Sequence, residues 1–219
     1  MTVTDVNVVK SAIFERPDDA NKGTLGSLLC VCGSYGMAGA AVMSAKGALR
    51  TGIGLAKCAL PRSIYPIVAQ TILESVYYPL SENADGRISK VNVPFLVSES
   101  CKSSATLVGC GLGVCDDTLK IVFSLIENST TPLVLDADAL NCVAKQPEIL
   151  LRKKAPIIIT PHPGEMSRLT GLATPLVNAE RERVALDFAQ KYGVVTVLKG
   201  AGTVIASPNG KVLVNPTGN

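Results

Sequence analysis

Short apolar runs rich in Val, Ile and Leu recur along this chain, separated by longer segments in which apolar and charged positions are mixed at helical spacing. This alternation predicts βαβ units and a mostly parallel sheet. Strands are expected at "SLLCVCG" (27–33), "GLAKCAL" (54–60), "SVYYPL" (75–80), "ATLVGC" (105–110), "PLVLDA" (132–137), "PIIIT" (156–160) and "VVTVLK" (194–199). Between them, "MAGAAVMSAKGALRTG" (37–52) reads as a helix rich in small residues. The clearest helix is "NAERERVALDFAQKYG" (178–193), where Val184, Leu186, Phe188 and Ala189 mix with charges and Gly193 stands where a helix-ending glycine belongs. The rhythm changes in "TVIASPNGKVLVN" (203–215), two β-rich runs around Pro208-Asn209-Gly210. Asn-Gly is a strong hairpin signal, so the sheet is expected to gain an antiparallel pair late in the chain.

Composition narrows the picture. With 219 residues, 47% hydrophobic content and no repeat, low-complexity tract or linker, the expectation is one α/β domain over 1–219. A net charge of +3 without a basic run, 4% aromatics and no Trp offer neither an electrostatic footprint nor a stacking platform for nucleic acid. The opening "MTVTDVNVVKSAIFERPDDANKG" is not a charged start followed by an apolar stretch, and no apolar run is long enough to span a bilayer. The expected location is the cytoplasm, with no membrane partner. Seven scattered cysteines and a single histidine lack zinc-site spacing, and the odd thiol count fits a reducing compartment. Cys30 and Cys32 share a strand face and read as small core hydrophobes.

Candidate chemistry lies where strands run into helices. "CGSYGMAGAA" (32–41) follows the first long strand and opens a helix, so its amides could face an anionic group, although such turns are common and the spacing is not the dinucleotide fingerprint. "GCGLG" (109–113) repeats the arrangement, and the two loops would meet at the carboxyl edge of the sheet. In "VLDADALN" (134–141), Asp136 and Asp138 fall on one side if the strand continues through them; they suit a metal, a hydroxyl or a helix cap equally. "TPHPGEMSRLTG" (160–171) sets His162 between two prolines and starts a helix at Glu165. A lone histidine is usually structural, but here two prolines fix its backbone at the sheet's carboxyl edge, which points to ligand contact. In "LKGAGTVIASPNG" (198–210), Lys199 is followed by small residues and Thr203, a set that suits phosphate as well as a plain turn.

Five segments in order carry a family resemblance: "KGTLGSLLCVCGSYGMAGAAVMSAKGALRTGIGLA", "GCGLG", "LVLDADALN", "ITPHPGEMSRLTG" and "VLKGAGTVIASPNGKVLVNPTGN". Across residues 22–219 the chain resembles the ADP/ATP-dependent NAD(P)H-hydrate dehydratases, which have a ribokinase-like fold. The resemblance implies repair of reduced nicotinamide cofactors that have taken up water, the dehydration being driven by hydrolysis of ATP or ADP with Mg2+. Hydroxide leaves poorly, whereas a hydroxyl that has first been phosphorylated leaves as phosphate, a step suited to a kinase-like fold. Carried over position by position, Ala40, Gly113 and His162 would contact the hydrated dinucleotide, and Lys199, Gly200, Ala201, Gly202 and Thr203 the adenine nucleotide. Glu165 would lie near Mg2+. A homo-oligomer is also expected from the family. Cys110 stands where the family usually has Pro.

The family pattern continues past the position of Asn219 into a glycine-rich segment ending in Gly-Ser-Gly-Asp, whose amides form an anion hole and whose Asp is the expected base. No base is therefore assigned among these 219 residues, and a fragment is the favoured expectation, ahead of a natural truncation or a different base. Such a fragment would leave apolar surface of the sheet exposed. Two rival readings share the residues: a ribokinase-like kinase of a thiamin precursor, and a nucleotide-binding protein without turnover.

Overall fold

A computed structural model describes residues 2–4, 10, 17–21 and 23–217. The final residues 218 and 219 of the last quoted segment, and most of the amino-terminal stretch, lie outside the described residues. The strands are β1 (Thr2–Val3), β2 (Ser27–Val31), β3 (Leu55–Pro61), β4 (Val76–Leu80), β5 (Ala105–Val108), β6 (Leu133–Leu135), β7 (Ile157–Ile159), β8 (Val195–Leu198), β9 (Thr203–Ala206) and β10 (Val212–Asn215). They form a single sheet in the order β1-β10-β9-β8-β7-β6-β5-β2-β3-β4. All pairings are parallel except β8 with β9 and β9 with β10, the hairpin foreseen around Asn209-Gly210. β1 was not anticipated; two residues carry no periodicity, and it extends the sheet only by pairing with β10.

The helices are α1 (Ala38–Arg50), α2 (Tyr65–Thr71), α3 (Val93–Cys101), α4 (Asp116–Asn128), α5 (Asp138–Val143), α6 (Pro163–Thr170), α7 (Thr174–Ala179) and α8 (Arg181–Tyr192). The helix expected from residue 178 is corrected to two pieces broken at Glu180, the first carrying Pro175 in its opening turn. Gly193 closes α8 at φ 63°, as its position implies.

Strand register sorts side chains onto two faces. Leu29 and Val31 of β2 share a large core with β5–β8 and with helices α4–α8. Cys30, Cys32 and Cys58 face the other way into a smaller core with Ala41 and Ala45 of α1 and Val68 of α2. The cysteines are thus core residues, and burial pushes the Cys30 thiol well up. On that second face, Leu107, Val134, Ile158, Val197 and Ile205 remain half-buried. Among the described residues, no helix is long and apolar enough to cross a membrane.

The direction in which successive strands are added to the sheet reverses between β2 and β5, although the two strands run parallel. From β2 the sheet grows through β3 to β4, and from β5 through β6, β7 and β8. Open α/β sheets bind ligands in the crevice that this reversal opens at the strands' carboxyl ends.

Candidate active site

The two glycine-rich loops meet at this switch point. Gly33 N–H donates to the Cys110 carbonyl at 2.8 Å, and the buried Ser34 hydroxyl to the Gly111 carbonyl at 2.8 Å. A Cβ on Gly111, which has φ +68°, would stand 2.7 Å from the Cβ of Ala40, so the fit requires glycine. Ala40, near the start of α1, is thereby set against the 109–113 loop. Gly113, a second of the three residues expected at the dinucleotide, has both backbone polar groups occupied. Its N–H donates to Asp138 Oδ2 at 2.8 Å, and its carbonyl accepts from the Thr118 hydroxyl at 2.7 Å. Arg87 lies against it, a Cβ at this position meeting Arg87 Nε at 2.5 Å.

β6 ends at Leu135, which corrects the expectation of a strand to 137 with Asp136 and Asp138 on one side. Ala137 intervenes at φ 50°, ψ −115°, the one non-glycine residue with positive φ among the described residues. The carboxylates consequently turn to different partners. Asp136 Oδ1 accepts from Lys199 Nζ at 2.6 Å and from the Thr160 hydroxyl at 2.9 Å, while Cys110 Sγ donates to Oδ2 at 3.5 Å. Burial works to raise the Asp136 pKa, but the Lys199 hydrogen bond and charge and the Thr160 hydroxyl outweigh it and hold the carboxyl below its ordinary value.

Lys199 follows β8, and its N–H donates to the Pro161 carbonyl at 2.8 Å, which fastens the 199–203 turn to the 160–165 loop. The Thr203 hydroxyl closes that turn on the Gly200 carbonyl at 3.0 Å. Arg181, which sequence reasoning passed over, clamps it from behind, Nη2 donating to the carbonyls of Leu198 at 2.8 Å and Lys199 at 3.1 Å. A Cβ on Gly202, at φ +67°, would meet only Val214 Cγ1 at 3.9 Å, so this position borders open space. An open groove of about 600 Å³ lies there between Gly202, Val214 and residues 178–183.

His162 caps α6. Gly164 N–H donates to its Nδ1 at 3.0 Å, and its own N–H donates to Glu165 Oε2 at 2.8 Å. Its Nε2 lies 3.4 Å from Glu165 Oε1, so both oxygens of the buried Glu165 face His162, whose ring is half-exposed. Among the described residues, no three His, Cys, Asp or Glu side chains are grouped to hold a metal. The donors present fit Mg2+ only in its common mode, largely through phosphate oxygens and water.

Asn141 and Arg168 also escaped sequence reasoning. Asp138 Oδ1 accepts from Asn141 Nδ2 at 3.3 Å, and Asn141 Oδ1 accepts from Arg168 Nε of α6 at 2.9 Å. The i, i+3 spacing of Asp138 and Asn141 in "DALN" was the available signal. From Ala40 to Thr203 the segments singled out in the sequence therefore form one contiguous strip along the carboxyl edge of the sheet.

Comparison with known proteins agrees with this assembly. The family model described as NAD(P)H-hydrate dehydratase matches residues 28–219. The bifunctional NAD(P)H-hydrate repair enzyme Nnr of Thermofilum pendens is 39% identical over 204 residues, covering 93% of this chain and 39% of that protein. The chain thus spans about two fifths of the length of that bifunctional relative. The ADP-dependent (S)-NAD(P)H-hydrate dehydratase of Bacillus subtilis is 32% identical over 213 residues, covering 96% of this chain and 71% of the relative. A crystal structure of the ADP/ATP-dependent NAD(P)H-hydrate dehydratase from B. subtilis, co-crystallised with ATP/Mg2+, superimposes at TM-score 0.82 with 30% identity, covering all of this chain and 73% of that one. These matches favour the dehydratase over the thiamin-precursor kinase, and the ribokinase-like fold is shared with them. The chain belongs to the NAD(P)H-hydrate dehydratase family.

Proposed function

We propose that this chain carries the site at which hydrated NADH or NADPH is returned to NAD(P)H with consumption of ADP or ATP. The observation that carries the reading is the junction at the switch point, where Ala40 meets the 109–113 loop and the Asp136–Lys199 pair joins this edge to the 199–203 turn. In this reading Ala40, Gly113 and His162 border the dinucleotide, and Lys199, Gly200, Ala201, Gly202 and Thr203 border the adenine nucleotide. Small residues at both loops let ligand approach the backbone, and Lys199 supplies a cation toward phosphate while Asp136 holds it in place.

The elimination needs the substrate hydroxyl converted to a phosphate ester, after which the C–O bond breaks, phosphate leaves and the neighbouring ring carbon loses a proton to restore the double bond, so the protein's work is positioning and charge stabilisation. Mg2+ bound with the nucleotide would neutralise its phosphate charge. Glu165, turned inward to His162, would act on that ion only through water. The base that accepts the hydroxyl proton is assigned to the Gly-Ser-Gly-Asp segment of the family pattern. A homo-oligomer in the cytoplasm completes the proposal.

The test is recovery of reduced-nicotinamide absorbance from hydrated NADH with Mg2+ and ADP or ATP. Recovery above a control without protein is expected. Absence of recovery, with hydrated NADH or ADP failing to bind, would overturn the reading.

A further inference from the structure

The β6–α5 turn contains the one strained non-glycine residue among the described residues, and the carboxylate that follows it is not used as a helix cap. Asp138 is the first residue of α5, yet no side chain caps this helix; the carboxylate reaches across to another loop. Its Oδ2 takes the Gly113 N–H at 2.8 Å, and its Oδ1 takes Asn141 Nδ2 at 3.3 Å, which in turn is steadied by Arg168 at 2.9 Å. Asp138 has no ion-pair partner among the described residues, and the protein donors to its half-buried carboxylate are these two amides.

The neighbouring backbone makes the aim of Asp138 dependent on the turn. Asp138 N–H donates to the Gly109 carbonyl at 3.3 Å, and a Cβ on Gly109 would fall 1.8 Å from the Asp136 carbonyl oxygen. The start of the 109–113 loop is therefore pressed on the turn, and its end is tied to Asp138. Strained backbone that persists against its cost marks places where surrounding structure demands one geometry. Here the geometry delivers one carboxylate to the amide at the loop's far end.

We propose that Asp138 is a positioning residue for the dinucleotide: by holding the Gly113 amide it fixes the height and shape of the loop against which the hydrated nicotinamide nucleotide lies. This role rests on the proposed function, which sets that ligand at Gly113. It makes a prediction that general structural support does not. The hydrogen bonds of Asp138 run to Gly113, Asn141 and Gly109, and none joins it to the 199–203 turn, so its loss should affect one ligand and spare the other.

The experiment is calorimetric titration of the 219-residue chain with hydrated NADH and, separately, with ADP and Mg2+. Asp138→Ala should weaken hydrated NADH by about tenfold, the scale of one lost charge-assisted hydrogen bond, with ADP affinity unchanged. Asp138→Asn keeps an oxygen for the Gly113 N–H and should return affinity to within about threefold of the parent. Unaltered dinucleotide affinity in Asp138→Ala, or equal losses for both ligands, would overturn the positioning role while leaving the proposed function intact. A parent chain that binds ADP but not hydrated NADH would overturn both.

Discussion

Asp136→Asn isolates the charge of the carboxylate on which three segments converge, because the amide keeps an oxygen where Oδ1 now accepts from Lys199 and Thr160. The side chains are 42% exposed at Lys199 and 26% exposed at Asp136, so the pair is neither a surface bridge nor a buried one. Hydrogen bonds to charged groups contribute about 1.5–3 kcal/mol when well shielded, and exposed ion pairs about 0.2–1 kcal/mol. Between these limits, the substitution should destabilise the chain by about 1–2 kcal/mol near neutral pH, read as a lower urea midpoint at constant slope. The pH dependence fixes the cause. Asp136 has a folded-state pKa below its unfolded value, so its stabilisation is complete above the unfolded value of about 3.9 and is lost as pH falls through the folded value. The gap between parent and variant should therefore stay level from pH 8 to about 5 and narrow at lower pH. A double-mutant cycle with Lys199→Met should return a coupling of about 1 kcal/mol. Coincident urea midpoints at neutral pH, or a gap that widens on acidification, would refute the claim that the Lys199 charge is what Asp136 serves.

Gly109→Ala places a Cβ 1.8 Å from the Asp136 carbonyl oxygen at φ +128°, and should lower the melting temperature by roughly 10 °C or prevent soluble recovery; a melt matching the parent's would show that the two turns are not in forced contact. Lys199→Ala should weaken ADP binding by about tenfold in calorimetry and leave hydrated NADH unaffected. Gly202→Val should do the same and also cost about 1–2 kcal/mol of stability, since the position is open but its φ of +67° disfavours a branched side chain; unchanged ADP affinity in both variants would remove the 199–203 turn from the site. His162→Ala should lose about 1 kcal/mol through the α6 cap and weaken hydrated NADH, while an unaltered dinucleotide affinity would leave His162 as a cap alone.

The strands were legible because the parallel strands of an α/β sheet read as continuous apolar runs, and "PIIIT" or "ATLVGC" has few other uses. Their ends were less so: "PLVLDA" reads as strand through Ala137, whereas pairing stops at Leu135. The residue types at 136–138 do not announce which residue turns, since the positive φ falls on Ala137, where a non-glycine residue is uncommon, and not on either Asp. The adjacency of the two glycine loops could be foreseen from the rule that governs switch points. The Asp136–Lys199 contact could not, because its partners lie 63 residues apart and only the finished strand order brings β6 and β8 ends within reach through β7. Arg181 was hidden for a similar reason: in "NAERERVALDF" it reads as one more charge on a solvated face, yet it points back to the carbonyls of Leu198 and Lys199.

The same turn explains why "DAD" can serve two loops at once. Along a regular strand, residues 136 and 138 would project to one side with period two, and both carboxylates would crowd a single ligand. Like charges set so close would raise one another's pKa and leave one protonated. Ala137 prevents this by leaving the strand in a conformation that costs about 1–3 kcal/mol, so that Asp136 turns to Lys199 and Asp138 to Gly113. Gly109 is packed closely on the same turn: a Cβ there would fall 1.8 Å from the Asp136 carbonyl oxygen and 2.9 Å from the Ala139 backbone nitrogen. One strained residue thus converts a local repeat into a division of labour, with a carboxylate for the proposed nucleotide side of the crevice and another for its proposed dinucleotide side.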